Sequence, residues 1–292
     1  MTSESVIKSV NWHITNRCNY ACRFCFAQNL GKHEVSFEEG KILLKKLSDS
    51  GIEKINFAGG EPLLHPRLPD YCKEAKNLGM TVSVTTNGSH LNQNMVSQLS
   101  GSVDWIALSV DSCLDTVEAA MGRGRGEHVT NALNAAALVH EAGIHLKVNT
   151  TVTSLTWQEN MHPLIQMMKP DRWKVMQMLV IDGENDTSSI GLCVSSAQFR
   201  EFAERHSSLC LGPGVYPVFE SVDDMEGSYF MIMPNGQVKS DVGRKITLYE
   251  LDDILEQGVD KLVDSDKYLD RGGIYDWKGL CQLDGNKEMR FT

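Results

Sequence analysis

Strand-like and helix-like stretches alternate through the first two thirds of this 292-residue chain, and that alternation restricts the fold more than any other feature. At 10–15 the apolar Val10, Trp12 and Ile14 interleave with Asn11, His13 and Thr15, the two-residue period of a strand. Ser36 and Glu39 form a capping box ahead of Ile42, Leu43, Leu44 and Leu47, a helical face that ends at Gly51. Further strands are expected at 53–57, 81–86, 104–109, 143–152 and 172–180, and helices at 67–79, 92–100, 128–142, 157–169 and 196–206. Six βα units in series build an α/β fold on a parallel sheet, either curled into an open barrel or laid flat. Such sheets hold ligands at the carboxyl ends of their strands. Polar residues close the strands here: Asn16, Gly59 to Glu61, Asn87, and Ser109 to Asp111. After about residue 182 the alternation weakens. Residues 211–247 read as loops with short strands and 248–271 as an acidic helical surface, so the division expected is 1–182 for the barrel and 183–292 for a C-terminal extension.

Composition narrows the partners. The formal charge of −10 disfavours a nucleic-acid polymer or an anionic membrane as ligand, so any anion must sit in a local basic pocket. No apolar run approaches a bilayer span, and residues 1–10 show neither a signal-peptide core nor an amphipathic membrane helix; a cytoplasmic monomer is expected. Of eight cysteines, Cys18, Cys22 and Cys25 share one short loop, while Cys72, Cys113, Cys193, Cys210 and Cys281 are scattered. That distribution points to one metal site and not to a disulfide framework. Cys193 and Cys210 are expected to be buried thiols.

The triplet Cys18-Asn-Tyr-Ala-Cys22-Arg-Phe-Cys25 sets three thiolates on a tight loop, suited to three corners of a 4Fe–4S cubane with one iron left open. Structural zinc, with His13 or His33 as fourth ligand, is the alternative, although the usual paired CxxC spacing is missing.

With the aromatic Phe24 before its third cysteine, and Gly59-Gly60-Glu61-Pro62 after the second expected strand, the chain resembles the radical S-adenosylmethionine (radical SAM) superfamily. The resemblance implies a partial (β/α)6 barrel whose C-terminal extension covers the active site. It implies a 4Fe–4S cluster on Cys18, Cys22 and Cys25, and SAM held by Tyr20, Phe24, Gly59, Gly60, Glu61, Asn87, Ser109, Arg123 and Gln177. Within the superfamily, 9–13, 18–20, 54–62, 122–124, 172–175, 183–185 and 271–273 look like the viperins. That likeness implies conversion of a nucleoside triphosphate, CTP first and UTP or GTP as alternatives, to its 3′-deoxy-3′,4′-didehydro analogue, an antiviral chain terminator. A 5′-deoxyadenosyl radical would take the 4′ hydrogen, with electrons from a flavodoxin or ferredoxin. The chain departs from animal viperins in lacking their amphipathic membrane helix, in ending Met289-Arg-Phe-Thr292 without a tryptophan, and in carrying Ala27 where they keep a polar residue.

Strand parity supports the nucleotide reading independently. At 144–151, Ile144, Leu146 and Val148 share one face while His145, Lys147, Asn149 and Thr151 share the other. Arg172 and Lys174 lie opposite Trp173 and Val175, and Asn11 and His13 pair likewise. A buried parallel strand is ordinarily apolar on both faces, so neighbouring cationic faces imply an anion-filled interior. The alternative is an exposed edge, or cations paired with local carboxylates. Arg244 and Lys245 are candidates to close over the phosphates. Gln177 has the wrong parity to join Arg172 and Lys174 without a bulge. Tyr229, in Gly227-Ser-Tyr-Phe-Met231, matches a Ser-Tyr pair of the viperins and is the candidate donor of the last electron and proton; its plain reading is a strand ring alternating with Met231 and Met233. The flanking Asp223, Asp224, Glu226 and Gly227 suggest a mobile loop. The rival functions are a radical SAM enzyme acting on a peptide or small metabolite, and a zinc-stabilised nucleotide-binding module. The glycine-rich 122–126 does not follow a strand and is no dinucleotide fingerprint.

Overall fold

The computed structural model describes residues 5–277. Cys281 and the terminal 289–292 lie outside the described residues.

Six strands, β1 (Ser9–His13), β2 (Lys54–Ala58), β3 (Thr81–Thr86), β4 (Trp105–Ser109), β5 (His145–Val152) and β6 (Arg172–Gln177), pair in sequence order, all parallel. Between them run α1 (Phe37–Asp49), α2 (Leu68–Asn77), α3 (Gln93–Leu99), α4 (Asp115–Ala120), α5 (His128–Glu141) and α6 (His162–Met168), and α7 (Ser196–His206) follows β6. The capping box at Ser36 and Glu39 starts α1 as expected, and a second one at Ser195 and Gln198 starts α7. The expected helix at 157–169 is shorter, beginning at His162 with Pro163 in its first turn.

The extension builds onto both edges of the same sheet. On one side β7 (Val218–Glu220) pairs with β6 and leads into the single turn α8 (Val222–Met225). On the other, β8 (Met231–Ile232) runs parallel to β1, and β9 (Val238–Ser240) and β10 (Thr247–Tyr249) follow antiparallel. The ten-stranded order is β10-β9-β8-β1-β2-β3-β4-β5-β6-β7, an open barrel. The chain ends its described part in α9 (Leu251–Gln257) and α10 (Ser265–Asp270).

The two faces of the sheet differ. Ile55, Phe57, Val82, Val84, Ile106, Leu108, Leu146, Val148, Trp173 and Val175 point to the helices and form one continuous core. The inward residues Asn11, Asn56, Thr85, Ser109, Lys147, Asn149 and Arg172 stay half-buried, so the barrel interior is a polar chamber. Small residues on β2 to β4 (Ala58, Ser83, Ala107) leave it room.

Candidate active site

The cysteine loop sits at the carboxyl end of β1, clamped by two other loops. Gly60 donates to the carbonyl of Thr15, and Glu61 to that of Arg17. On the opposite side Ala21 donates to the carbonyl of Gly122, and Arg23 to that of Met121. A side chain at Gly60 would collide with the Arg17 carbonyl, and one at Gly122 (φ +83°) with that of Ala21. Both positions require glycine because backbone meets backbone there. The stretch 122–126, set aside as a phosphate loop, is thus part of the mount for the cysteines.

The three thiols are near enough to raise one another's pKa, Cys22 by Cys25 and Cys18, and Cys18 by Cys25. Burial is the larger cause and pushes Cys22 up to about 12; the Arg123 guanidinium opposes it at all three. Three clustered, desolvated thiols do not ionise without a strong counter-charge, which iron supplies. Among the described residues no three His, Cys, Asp or Glu side chains close on the point a single ion would take. A cluster takes one thiolate per iron and needs no convergence of three thiolates on one point.

Polar side chains ring this loop. Glu61 is buried; its Oε1 accepts from Thr86 Oγ1 at 2.6 Å and Leu63 N at 3.0 Å, and its Oε2 from Asn87 N at 2.8 Å. Glu61 thereby ties the Gly-Gly-Glu-Pro turn to the end of β3, with a lone pair of Oε2 left for a ligand amino group. Asn87 donates to Asn19 Oδ1 at 2.9 Å. Tyr20 and His128 meet at 3.3 Å, and His128 Nε2 lies 2.8 Å from the Ser109 carbonyl. Arg123, paired with Asp111 at 2.5 Å, lies 5.3 Å from the centre of the Phe24 ring. Gly59, Gly60, Glu61, Asn87, Ser109, Tyr20, Phe24 and Arg123 therefore do share one mouth with the cysteines.

Gln177 does not join them. The β5–β6 register runs unbroken from Lys147 opposite Arg172 to Val152 opposite Gln177, so no bulge turns the side chain inward. Its amide instead donates to Val194 O at 3.1 Å and accepts from Val222 N at 3.2 Å. Gln177 is a brace between β6 and the extension.

Deeper in the chamber the cations gather. Lys147, Arg172 and Lys174 are all desolvated, and each is pushed down further by the others or by neighbouring cations. Asn11 accepts from Asn56 Nδ2 at 2.9 Å, and Asn56 from Thr85 Oγ1 at 2.9 Å. Buried polar atoms of His13 (Nδ1), Asn149 (Oδ1) and Arg172 (Nε) have no hydrogen-bond partner among the described residues. Such atoms are costly to leave unmet, and all three face inward. Burial pushes His13 down to about 4, so it is a neutral imidazole.

Sequence reasoning missed three members. Lys54 opens β2 on the inward face; it donates to the Tyr275 hydroxyl and lies 4.2 Å from that ring's centre, with Trp105 and Trp277 beside it. Glu220, at the end of β7, is fully buried and paired with Lys174 at 2.5 Å. Arg271 lies 3.7 Å over the Tyr229 ring and donates to Ser228 O at 2.8 Å. Lys54 was detectable by its parity with Asn56. Glu220 and Arg271 had no periodic signal, because β7 is three residues long and Arg271 follows α10.

Tyr229 faces this group: it donates to Glu220 Oε2 and accepts from Lys174 Nζ. Burial and the Glu220 charge hold its phenol well above the ordinary value. The segment before it is not a plain loop, since α8 carries its own Ser221–Asp224 capping box.

Arg244 and Lys245 are corrected by the structure. Both are exposed; Arg244 pairs with Glu226 at 3.4 Å and Asp223 at 3.8 Å, and the Lys245 backbone forms a parallel bridge with that of Asp182. Nearby carboxylates hold Arg244, and Lys245 is carried on an exposed stretch of the extension. Cys193 and Cys210 are exposed, not buried, because the loops that carry them run over the surface.

Residues 12–169 match the model of the radical SAM superfamily. The chain is 35% identical over 94% of its length to a Thermoplasmatales archaeon (strain ISO4-H5) protein, of which the match covers 98%, called an S-adenosylmethionine-dependent nucleotide dehydratase. A protein of Oncorhynchus mykiss called S-adenosylmethionine-dependent nucleotide dehydratase RSAD2 is 34% identical over 92% of this chain and 80% of its own. Streptococcus suis SuiB, solved with S-adenosylmethionine, shares the fold at TM-score 0.62 and 16% identity, over 79% of this chain and 59% of SuiB. No helix among the described residues is long and apolar enough to cross a membrane. The motif loops, their common mouth and these relatives place the chain in the radical SAM superfamily, with its 4Fe–4S cluster and SAM, and within it in the viperin family of S-adenosylmethionine-dependent nucleotide dehydratases.

Proposed function

We propose that this chain dehydrates a nucleoside triphosphate, CTP first, to its 3′-deoxy-3′,4′-didehydro analogue. One observation carries the reading: Lys147, Arg172, Lys174 and Arg271 face a chamber in which, among the described residues, Glu220 is the carboxylate that answers them, and Lys54 adds a further cation that feels Asp104 instead. The cationic groups outnumber the carboxylates that meet them among the described residues, and a triphosphate, with roughly four negative charges, suits that surplus. Burial first, and then repulsion by neighbouring cations, lowers the proton affinity of Lys54 and Lys147, as in a site completed by an anion. A neutral peptide offers no such counter-charge.

Bound at Cys18, Cys22 and Cys25, the cluster and SAM supply one-electron, hydrogen-abstracting chemistry. The protein does the rest. Lys147, Arg172 and Lys174 grip phosphates from adjacent strands. Asn11, His13 and Asn149 present polar atoms to the sugar. Tyr229 supplies the electron that a closed-shell product requires and gives up its phenolic proton as it does so, and a donor of the flavodoxin or ferredoxin class restores it. The anaerobically reconstituted enzyme, given each of the four NTPs in turn, should release 5′-deoxyadenosine with a dehydrated nucleotide for one of them. Release without any dehydrated nucleotide would overturn the reading. Tyr229→Phe should still bind nucleotide and cleave SAM but lose product per 5′-deoxyadenosine.

A further inference from the structure

Glu220 is the one carboxylate in contact with Tyr229 among the described residues, and pairing with cations does not exhaust it. Its Oε1 faces Lys174 at 2.5 Å and Arg271 at 3.7 Å, while Oε2 accepts the phenolic hydrogen. A tyrosine that loses an electron becomes a strong acid and must shed its proton in the same step. At this hydroxyl, Lys174 is a donor and Arg271 lies over the ring face, so neither takes a proton. A tyrosine that lost its electron and kept its proton would be a cation between two cations, which is costly and makes the neutral phenoxyl the accessible product.

We propose that Glu220 takes the phenolic proton of Tyr229 as that tyrosine passes an electron to the nucleotide radical that has lost its 3′ hydroxyl; the inference rests on Tyr229 as the donor. The O–H bond of Tyr229 breaks and an Oε2–H bond forms on Glu220. The tyrosine is oxidised to a neutral phenoxyl and the nucleotide is reduced by one electron to the closed-shell product. The departing hydroxide takes a solvent proton and leaves as water. A one-electron donor of the flavodoxin or ferredoxin class then reduces the phenoxyl, and Glu220 returns its proton. Substrate strengthens the acceptor: a phosphate that draws Lys174 away removes a cation from Glu220 and raises its affinity for a proton.

Glu220→Gln keeps the shape and an acceptor oxygen but holds no proton. Product per 5′-deoxyadenosine should fall at least about tenfold, as for a lost proton-transfer partner. Triphosphate affinity should hold or rise, because Lys174 is released; a merely structural role would weaken it. Glu220→Asp, which keeps a carboxylate, should recover part of the yield, and a yield no better than that of the Gln variant counts against the proposal. If Tyr229→Phe is uncoupled while Glu220→Gln keeps the wild-type ratio, the Glu220 step is overturned and the Tyr229 reading stands. If Tyr229→Phe keeps the wild-type ratio, the donor reading falls and this step with it. Should the Gln variant not fold, the wild-type enzyme serves: yield per 5′-deoxyadenosine should drop in D2O, and an unchanged yield overturns the step.

Discussion

The same strands carry two faces with opposite thermodynamic duties. Outward, Phe57, Ile106, Leu108, Val148, Trp173 and Val175 are essentially sealed by helices, and their burial is the main favourable term in folding. Inward, at neighbouring positions of the same strands, Lys54, Lys147, Arg172 and Lys174 are desolvated and repel one another. The outer face makes the barrel stable enough to tolerate the inner one, and the inner one keeps an electrostatic strain that a bound anion relieves. Inward and outward substitutions should therefore differ in sign as well as size.

The largest effect belongs to the chamber's mouth. Cys18→Ala, Cys22→Ala or Cys25→Ala should each abolish iron loading, read by iron content and absorbance, and with it SAM cleavage; full activity in any one would break the site assignment. Cys72→Ala, at a thiol sealed in the outer core, should leave the cluster spectrum unchanged.

Next is the outer face. Phe57→Ala should cost about 3–5 kcal/mol of stability in denaturant titration, the range for deleting a buried aromatic ring. A loss under 1 kcal/mol would show that this face is not the structural one.

The inner face should respond in the opposite sense. Lys147→Ala or Arg172→Ala should weaken triphosphate binding about 10- to 150-fold, for charge-assisted contacts of roughly 1.5–3 kcal/mol each. The thermal midpoint of the free protein should hold or rise, because a repelling cation is gone. Burial lowers Lys174 to about 8, with Lys54 and Lys147 also well below their ordinary value. At Lys174 the unfolded chain thus binds more protons, so the free protein gains stability as pH rises from about 8 toward the ordinary lysine value, and the Lys174 penalty is complete below that window; Lys54 and Lys147 act in the same direction. Nucleotide binding in the window should take up protons. Calorimetry in buffers of different ionisation heat reads this, and buffer-independent heats would contradict the strained chamber.

The smallest effect is expected at Arg244→Ala. This exposed cation is already held by Glu226 and Asp223, so affinity should change less than about twofold. A larger loss would return Arg244 to the phosphate site and extend the inner face into the extension.

Local pattern decided much of this protein. The two-residue period at 144–151 told inward Lys147 and Asn149 from outward Leu146 and Val148, and the β5 burial confirms that alternation. Strand parity also warned that Gln177 faces away from Arg172 and Lys174, and the unbroken register bears the warning out. The three cysteine positions and the Gly-Gly-Glu-Pro turn were legible because their spacing is itself the chemistry. What tertiary structure alone decided concerns partners far apart in the chain. Arg244 and Arg271 are both C-terminal arginines, and nothing local says that one ends among surface carboxylates and the other over Tyr229. Glu220 stands in a three-residue strand, too short for a period, and meets Lys174 only because β7 pairs with β6. Lys54 comes to face Tyr275 through a contact 221 residues long in sequence. Periodicity reports which way a side chain points, whereas the charge it meets is set by which strands and loops close the barrel.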